Sequence, residues 1–187
     1  MRMGEAGGDP ARDGEFLSMA FRDSPYGLIY HDASSKVLAC NEAAERILGI
    51  TSAQVQGSYA QDPRWQPIRE DGSPFPVDEL PVKVCLRTGE TVRDAIVGVW
   101  NAAENREKWL RIDVVPRFGR GSSAPLGTLA WIADVTAQIE ASKSEKASRD
   151  RFASLFDHMS EGVALHEAVL GGDGRPVDYR IIDANPQ

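Results

Sequence analysis

Cysteine is scarce in this sequence. Its two cysteines, Cys40 and Cys85, stand far apart and lack the CxxC or Cys/His spacing of a zinc site or a redox pair, so a reducing, cytoplasmic setting is the simplest expectation. Long apolar runs are missing as well. The longest, Ala95 to Trp100, is far short of the roughly 20 residues that a membrane-spanning helix needs, so no insertion by this segment is expected. Positive charge is in deficit, with 21 Lys and Arg against 28 Asp and Glu and a net charge of -7. Without a basic cluster, such a chain is repelled by phosphate backbones, and nucleic acid is not an expected partner. Met1 to Gly14 holds no apolar core region, which excludes a signal peptide or anchor there, and its Gly and Pro among charges predict a disordered start.

Catalytic patterns are absent too. No Ser/His/Asp or paired-carboxylate arrangement stands out, and Gly119-Arg120-Gly121 lacks the third glycine and following helix of a phosphate loop, so it reads as a hairpin turn. The chain is expected to be no enzyme and to hold no metal. What it does have is an ordinary globular composition, 42% hydrophobic and 26% charged, enough for one or two buried cores.

Phe16, Leu17, Ala20 and Phe21 recur at helical spacing over Glu15 to Phe21, and Ser24-Pro25 stops that helix. Tyr26 to His31 and Lys36 to Cys40 read as a hairpin around the polar turn Asp32 to Ser35. Asn41 caps a two-turn helix whose apolar face is Ala44, Ile47 and Leu48 and whose end is Gly49. Thr51 and Gln54 form a capping box. The proline-rich stretch Asp62 to Pro76 predicts an irregular loop with Trp65 folded onto the core, ahead of a helix from Leu80 to Leu86. Three strands, Thr91 to Trp100, Lys108 to Pro116 and Leu126 to Val135, are joined by hairpin-type connections and predict an antiparallel sheet. Thr136 to Arg151 has no Gly or Pro and reads as an exposed connecting helix.

The beginning then recurs. Phe21, Gly27, His31 and Asp32 are matched by Phe156, Gly162, His166 and Glu167, each pair separated by the same 135 positions, and Asn41 is matched by Asn185 after a longer turn at Gly171 to Gly174. Phe21 to Ile29, Asn41-Glu42-Ala43-Ala44, Leu48 to Ser52 with Gly57, Leu86 to Glu90, Trp109 to Ile112 and Asp134-Val135-Thr136 together resemble the PAS domain family in wording and order. The resemblance covers Glu15 to Thr136 completely and Phe152 to Gln187 in part. It implies an α+β fold with a five-stranded antiparallel sheet and short flanking helices, followed by a connecting helix. The expected division is a disordered 1–14, a sensor domain 15–135, the helix 136–151 and the first part of a second domain 152–187, which would be frayed or borrow a partner's surface.

The resemblance also implies a pocket between the sheet and the short helices, and strand alternation nominates Leu110, Ile112, Val114, Thr128, Ala130 and Ile132 as its lining. Simple core filling by the same side chains stays open. Haem-binding relatives use a histidine on the helix that corresponds to Leu80–Leu86, which has none, and flavin-adduct relatives need a cysteine in an Asn-Cys-Arg context that neither Cys40 nor Cys85 has. Both cysteines therefore read as core residues, and the cofactor stays unknown. His31-Asp32 reads as a structural pair at the solvent edge of a strand.

Asp134 and Thr136 are expected to couple the last strand to the connecting helix, with the Thr136 hydroxyl capping it. Trp109 and Trp131 should share the outer face of the sheet, to be covered by Phe16 and Leu17 of the leading helix or by a second subunit. The implied function is a signal-sensing, dimerising module of a bacterial-type regulator, such as a sensor histidine kinase or a diguanylate cyclase. It would relay a small molecule or redox state to a downstream effector domain. A structural dimerisation scaffold with a filled core is the alternative.

Overall fold

The structure is a computed structural model and describes residues 10–58 and 63–185; most of the expected disordered start lies outside them. The chain divides into two compact units, one ending at Ala137 and one beginning at Gln138. The first contains helix α1 (Pro10–Arg22), strands β1 (Gly27–Asp32) and β2 (Val37–Cys40), short helices α2 (Glu42–Leu48), α3 (Ser52–Val55) and α4 (Pro81–Thr88), and long strands β3 (Val92–Asn101), β4 (Arg106–Phe118) and β5 (Pro125–Asp134). The five strands form one sheet in the order β2-β1-β5-β4-β3, and every neighbouring pair is antiparallel. The α+β class and the five-stranded antiparallel sheet expected from the sequence are the architecture found.

One expectation fails at the start. Pro10 to Gly14 belong to α1 rather than to a disordered segment.

Local chemistry sets the turns. Between β1 and β2 the Asp32 carboxylate accepts from the Ser34 N–H at 2.8 Å, the Ser34 hydroxyl at 2.6 Å and the Lys36 N–H at 3.0 Å. Asn41 accepts the Ala44 N–H to start α2, and Gly49, at φ 68°, ends it in the left-handed conformation that glycine adopts without strain. The Thr51/Gln54 capping box forms at α3.

Inward-facing Ile29, Val97, Leu110, Val114, Ala130 and Ile132 of the sheet pack under Ala44, Leu48, Val55, Val82 and Cys85 of the helices. Burying such a side chain contributes about 1.5–3 kcal/mol for each large residue. In the proline-rich loop, Ile68 exchanges two backbone hydrogen bonds of 2.9 Å with Gly98 of β3. A Cβ on Gly98 would lie 2.6 Å from Ile68 Cγ1 and 3.1 Å from the Trp109 ring, so glycine is what lets the loop lie against the outer side of β3.

Helix α5 (Thr136–Asp157) continues past Arg151, because nothing between Thr136 and Asp157 breaks it. The connecting helix and the leading helix of the second copy are thus one element, and Phe152 stacks on Phe156 with ring centroids 5.8 Å apart. Strands β6 (Ala164–Leu170) and β7 (Pro176–Ala184) follow as a two-stranded antiparallel hairpin. The hairpin forms rather than frays, yet every residue of both strands is exposed. The repeat extends to hydrogen bonds. Asn41 binds the Leu28 N–H at 2.9 Å and the Tyr26 carbonyl at 3.0 Å, and Asn185 binds the Val163 N–H at 2.8 Å and the Glu161 carbonyl at 2.9 Å.

Candidate ligand pocket

Period-two alternation turns Ile29 and His31 of β1, Val97 and Val99 of β3, and the inner residues of β4 and β5 toward the short helices. Between them lies a cavity of about 60 Å³, closed on the helix side by Leu48, Trp65, Leu80 and Val82. Four of the six residues nominated from the sequence, Leu110, Ile112, Ala130 and Ile132, line it. Val114 and Thr128 do not. They share the inner face and are fully buried, but they sit farther along their strands, where Val114 receives the Cys85 thiol at 3.8 Å and Thr128 meets His31.

Sequence reasoning placed His31 at the solvent edge, and the structure corrects that. His31 is 2% exposed and lines the cavity, with Nδ1 3.4 Å from the Thr128 hydroxyl. Burial lowers its pKa to about 4 against the opposing charge of Asp32, so the ring is neutral at pH 7. Its alternation with Ile29 was the available signal; the polar neighbour Asp32 masked it. Trp65 folds onto the core as expected. Its indole N–H is buried and has no acceptor among the described residues.

The pocket does not fit a cysteinyl-flavin or a helix-histidine haem. Cys85 is fully buried and burial pushes its thiol upward, away from the reactive thiolate. Helix α4 carries no histidine, and 60 Å³ is well below the roughly 300–1,000 Å³ of sites for larger ligands. Among the described residues, no group of three or more His, Cys, Asp or Glu side chains is placed to hold a metal ion.

At the far end of the sheet a polar network ties the strands to α5. The Thr136 hydroxyl accepts the Trp109 N–H at 2.9 Å and donates to Asp134 Oδ1 at 2.5 Å, and the Thr136 N–H reaches the same oxygen at 3.0 Å. The Val135 N–H donates to the Trp109 carbonyl at 2.8 Å. This reassigns the expected helix cap: Asp134 satisfies the first N–H of α5, and the Thr136 hydroxyl binds the neighbouring strand. Asp134 Oδ2 pairs with the buried Lys108 ammonium at 3.2 Å, and Lys108 also pairs with Glu104. Burial pushes the Asp134 carboxyl up, but its bonds from Thr136 and the Lys108 charge outweigh burial and hold it below the usual range. Glu104 donates its N–H to Asn101 Oδ1 at 2.9 Å, and Asn101 Nδ2 donates to the Ile47 carbonyl at 2.9 Å. Polar contacts therefore run from the end of α2, whose Leu48 touches the cavity, to the start of α5.

The outer face of the sheet carries a groove of about 420 Å³ lined by Tyr26, Arg93, Arg111, Asp113 and Trp131 among others. Trp109 is buried without help from α1, whose Phe16 and Leu17 are 64% and 67% exposed. The cover in cis expected from the sequence does not form.

A family model described as PAS domain matches residues 15–81 and 150–187, more than half of the chain and the two copies of the repeat. The chain belongs to the PAS domain family. Solved structures agree with the fold. A PAS domain of a protein from Colwellia psychrerythraea superposes with a TM-score of 0.53 at 15% identity, covering 67% of this chain and 98% of that one. A domain of a sensory box sensor histidine kinase/response regulator from Geobacter sulfurreducens gives 0.51 at 15% identity, covering 67% and 97%. An RNA-binding Light-Oxygen-Voltage receptor gives 0.58 at 16% identity, covering 82% of this chain and 42% of that one. No match was found among curated proteins. The sheet and its short helices are shared at the level of the fold.

Proposed function

We propose that this PAS chain is a cytoplasmic signal-sensing and dimerisation module that relays the state of its pocket through α5 to an effector domain, and that it performs no chemistry itself. The observation that carries this reading is the Thr136 hydroxyl bound at once to Trp109 of β4 and Asp134 of β5. The first residue of the output helix is thereby fastened to the strands whose inner residues line the cavity. A ligand can bias two arrangements of α5 only by its difference in affinity for them, and this junction is where such a difference would be expressed. No helix among the described residues is long and apolar enough to cross a membrane. Exposed Phe16 and Leu17 and the groove at Trp131 are the surfaces a second copy would cover, as isologous pairing requires. The effector class, a histidine kinase or a diguanylate cyclase, belongs to the same proposal.

A structural dimerisation scaffold is the second reading, favoured by the small size of the cavity. Native mass spectrometry of protein purified from cells, compared with its denatured mass, separates the two. A co-purifying small molecule on the dimer supports sensing. A dimer of bare chains supports the scaffold, and a monomer removes the dimerisation part of both.

A further inference from the structure

Arg93 of β3 and Arg111 of β4 line the groove on the outer face of the sheet, together with Val115 and the half-buried Trp131. Neither arginine has an ion-pair partner among the described residues. The carboxylate in the groove, Asp113, accepts the backbone N–H of Asp94 at 2.7 Å instead. On α1, Glu15, Phe16, Leu17, Met19 and Ala20 are all exposed. By the helical repeat, Phe16, Met19 and Ala20 share one stripe, with Leu17 along its far edge and Glu15 beside Met19. Helix α1 is held away from its own sheet at its last turn. Asn41 Nδ2 donates to the Phe21 carbonyl at 2.9 Å and to the Tyr26 carbonyl at 3.0 Å. One amide thus grips both sides of the turn between α1 and β1 and fixes the direction in which the helix leaves.

We propose that the groove receives α1 of a second copy of this chain, with Phe16, Leu17 and Met19 against Trp131 and Val115 and the Glu15 carboxylate beside Arg93 and Arg111. This deepens, and rests on, the dimerisation part of the sensory reading. The two surfaces match in kind: an apolar stripe flanked by an acid meets an apolar groove that holds two arginines. Each copy carries a net charge of -7, so two copies repel one another unless opposite charges meet where they touch. Arginine and tryptophan side by side are the anchors that interfaces favour. Symmetry makes the contact twice, because α1 of each copy enters the groove of the other about one two-fold axis.

Sedimentation equilibrium of the full chain tests this with Glu15→Arg and Arg111→Glu, alone and combined. Both residues are exposed within one copy, and a thermal melt followed by circular dichroism checks that each variant is folded. Each single change is expected to weaken the dimer about a hundredfold, tenfold at each of the two contacts, as like charges brought together do. The combined change exchanges the two charges and is expected to recover most of that loss. Single variants as tightly dimeric as the parent, or a combined variant no tighter than the singles, would overturn the docking and leave dimerisation standing. A parent chain that stays monomeric at every concentration would overturn the docking together with the dimerisation reading.

Discussion

The Thr136 hydroxyl lies 2.9 Å from the backbone N–H of Trp109, across 27 residues of sequence. That N–H belongs to β4, and the hydroxyl to the first residue of the helix that leaves the domain. A β-strand donor has thus been satisfied by a helix start instead of by another strand, and the two elements cannot separate without leaving it unpaired.

Replacing that hydroxyl should therefore be costly. Thr136→Val leaves the buried Trp109 N–H without an acceptor, and urea unfolding should show a loss of about 1–3 kcal/mol. Thr136→Ser keeps the oxygen and should stay within about 1 kcal/mol of the parent. Equal losses in the two variants would mean that the methyl, not the hydroxyl, matters.

Lys108 and Asp134 should be energetically coupled. Asp134→Asn and Lys108→Met, singly and together, form a cycle whose interaction energy is expected at about 0.5–3 kcal/mol. An additive pair would show that the ion pair is screened. The Asp134 pKa is depressed in the folded state, so its contribution is present above the unfolded carboxylate value and is lost as pH falls through the folded one.

His31 gives a separate window. Its folded pKa of about 4 lies below the ordinary 6.5, so between those values the unfolded chain holds a proton that the native chain does not. Stability should fall as pH drops from 6.5 toward 4, by up to about 3 kcal/mol. His31→Gln should flatten that slope, measured by unfolding at successive pH values. An unchanged slope would assign the dependence to other groups.

Gly127 makes the tightest approach in the β1–β5 pair. A Cβ there would lie 2.2 Å from the His31 carbonyl oxygen, which is backbone and cannot step aside. Gly127→Ala should destabilise the domain by about 1–3 kcal/mol and shift the His31 signals. A neutral outcome would show that β1 and β5 can move apart at this point.

Much of this was legible in the sequence because local signals agreed with the global fold. The Asn41 cap, the Gly49 stop, the Thr51/Gln54 box and the alternation in β4 each needed only near neighbours. The repeat was legible for the same reason, since Asn41 and Asn185 do the same work on their own hairpins. What escaped depended on partners distant in sequence. His31 is buried because β5 covers it, with Thr128 opposite. The Thr136 hydroxyl turns to Trp109, not to its own helix, because Asp134 already serves the first N–H. Trp109 needs no cover from α1, since the loop at Ile68 lies over the neighbouring Gly98.

The claim that matters most is that the pocket and the start of α5 feel each other. A double-mutant cycle between Val82→Ala, which enlarges the cavity from α4, and Thr136→Val measures this by denaturant unfolding. An interaction energy above about 0.5 kcal/mol is predicted, whereas additivity within about 0.3 kcal/mol would contradict the account.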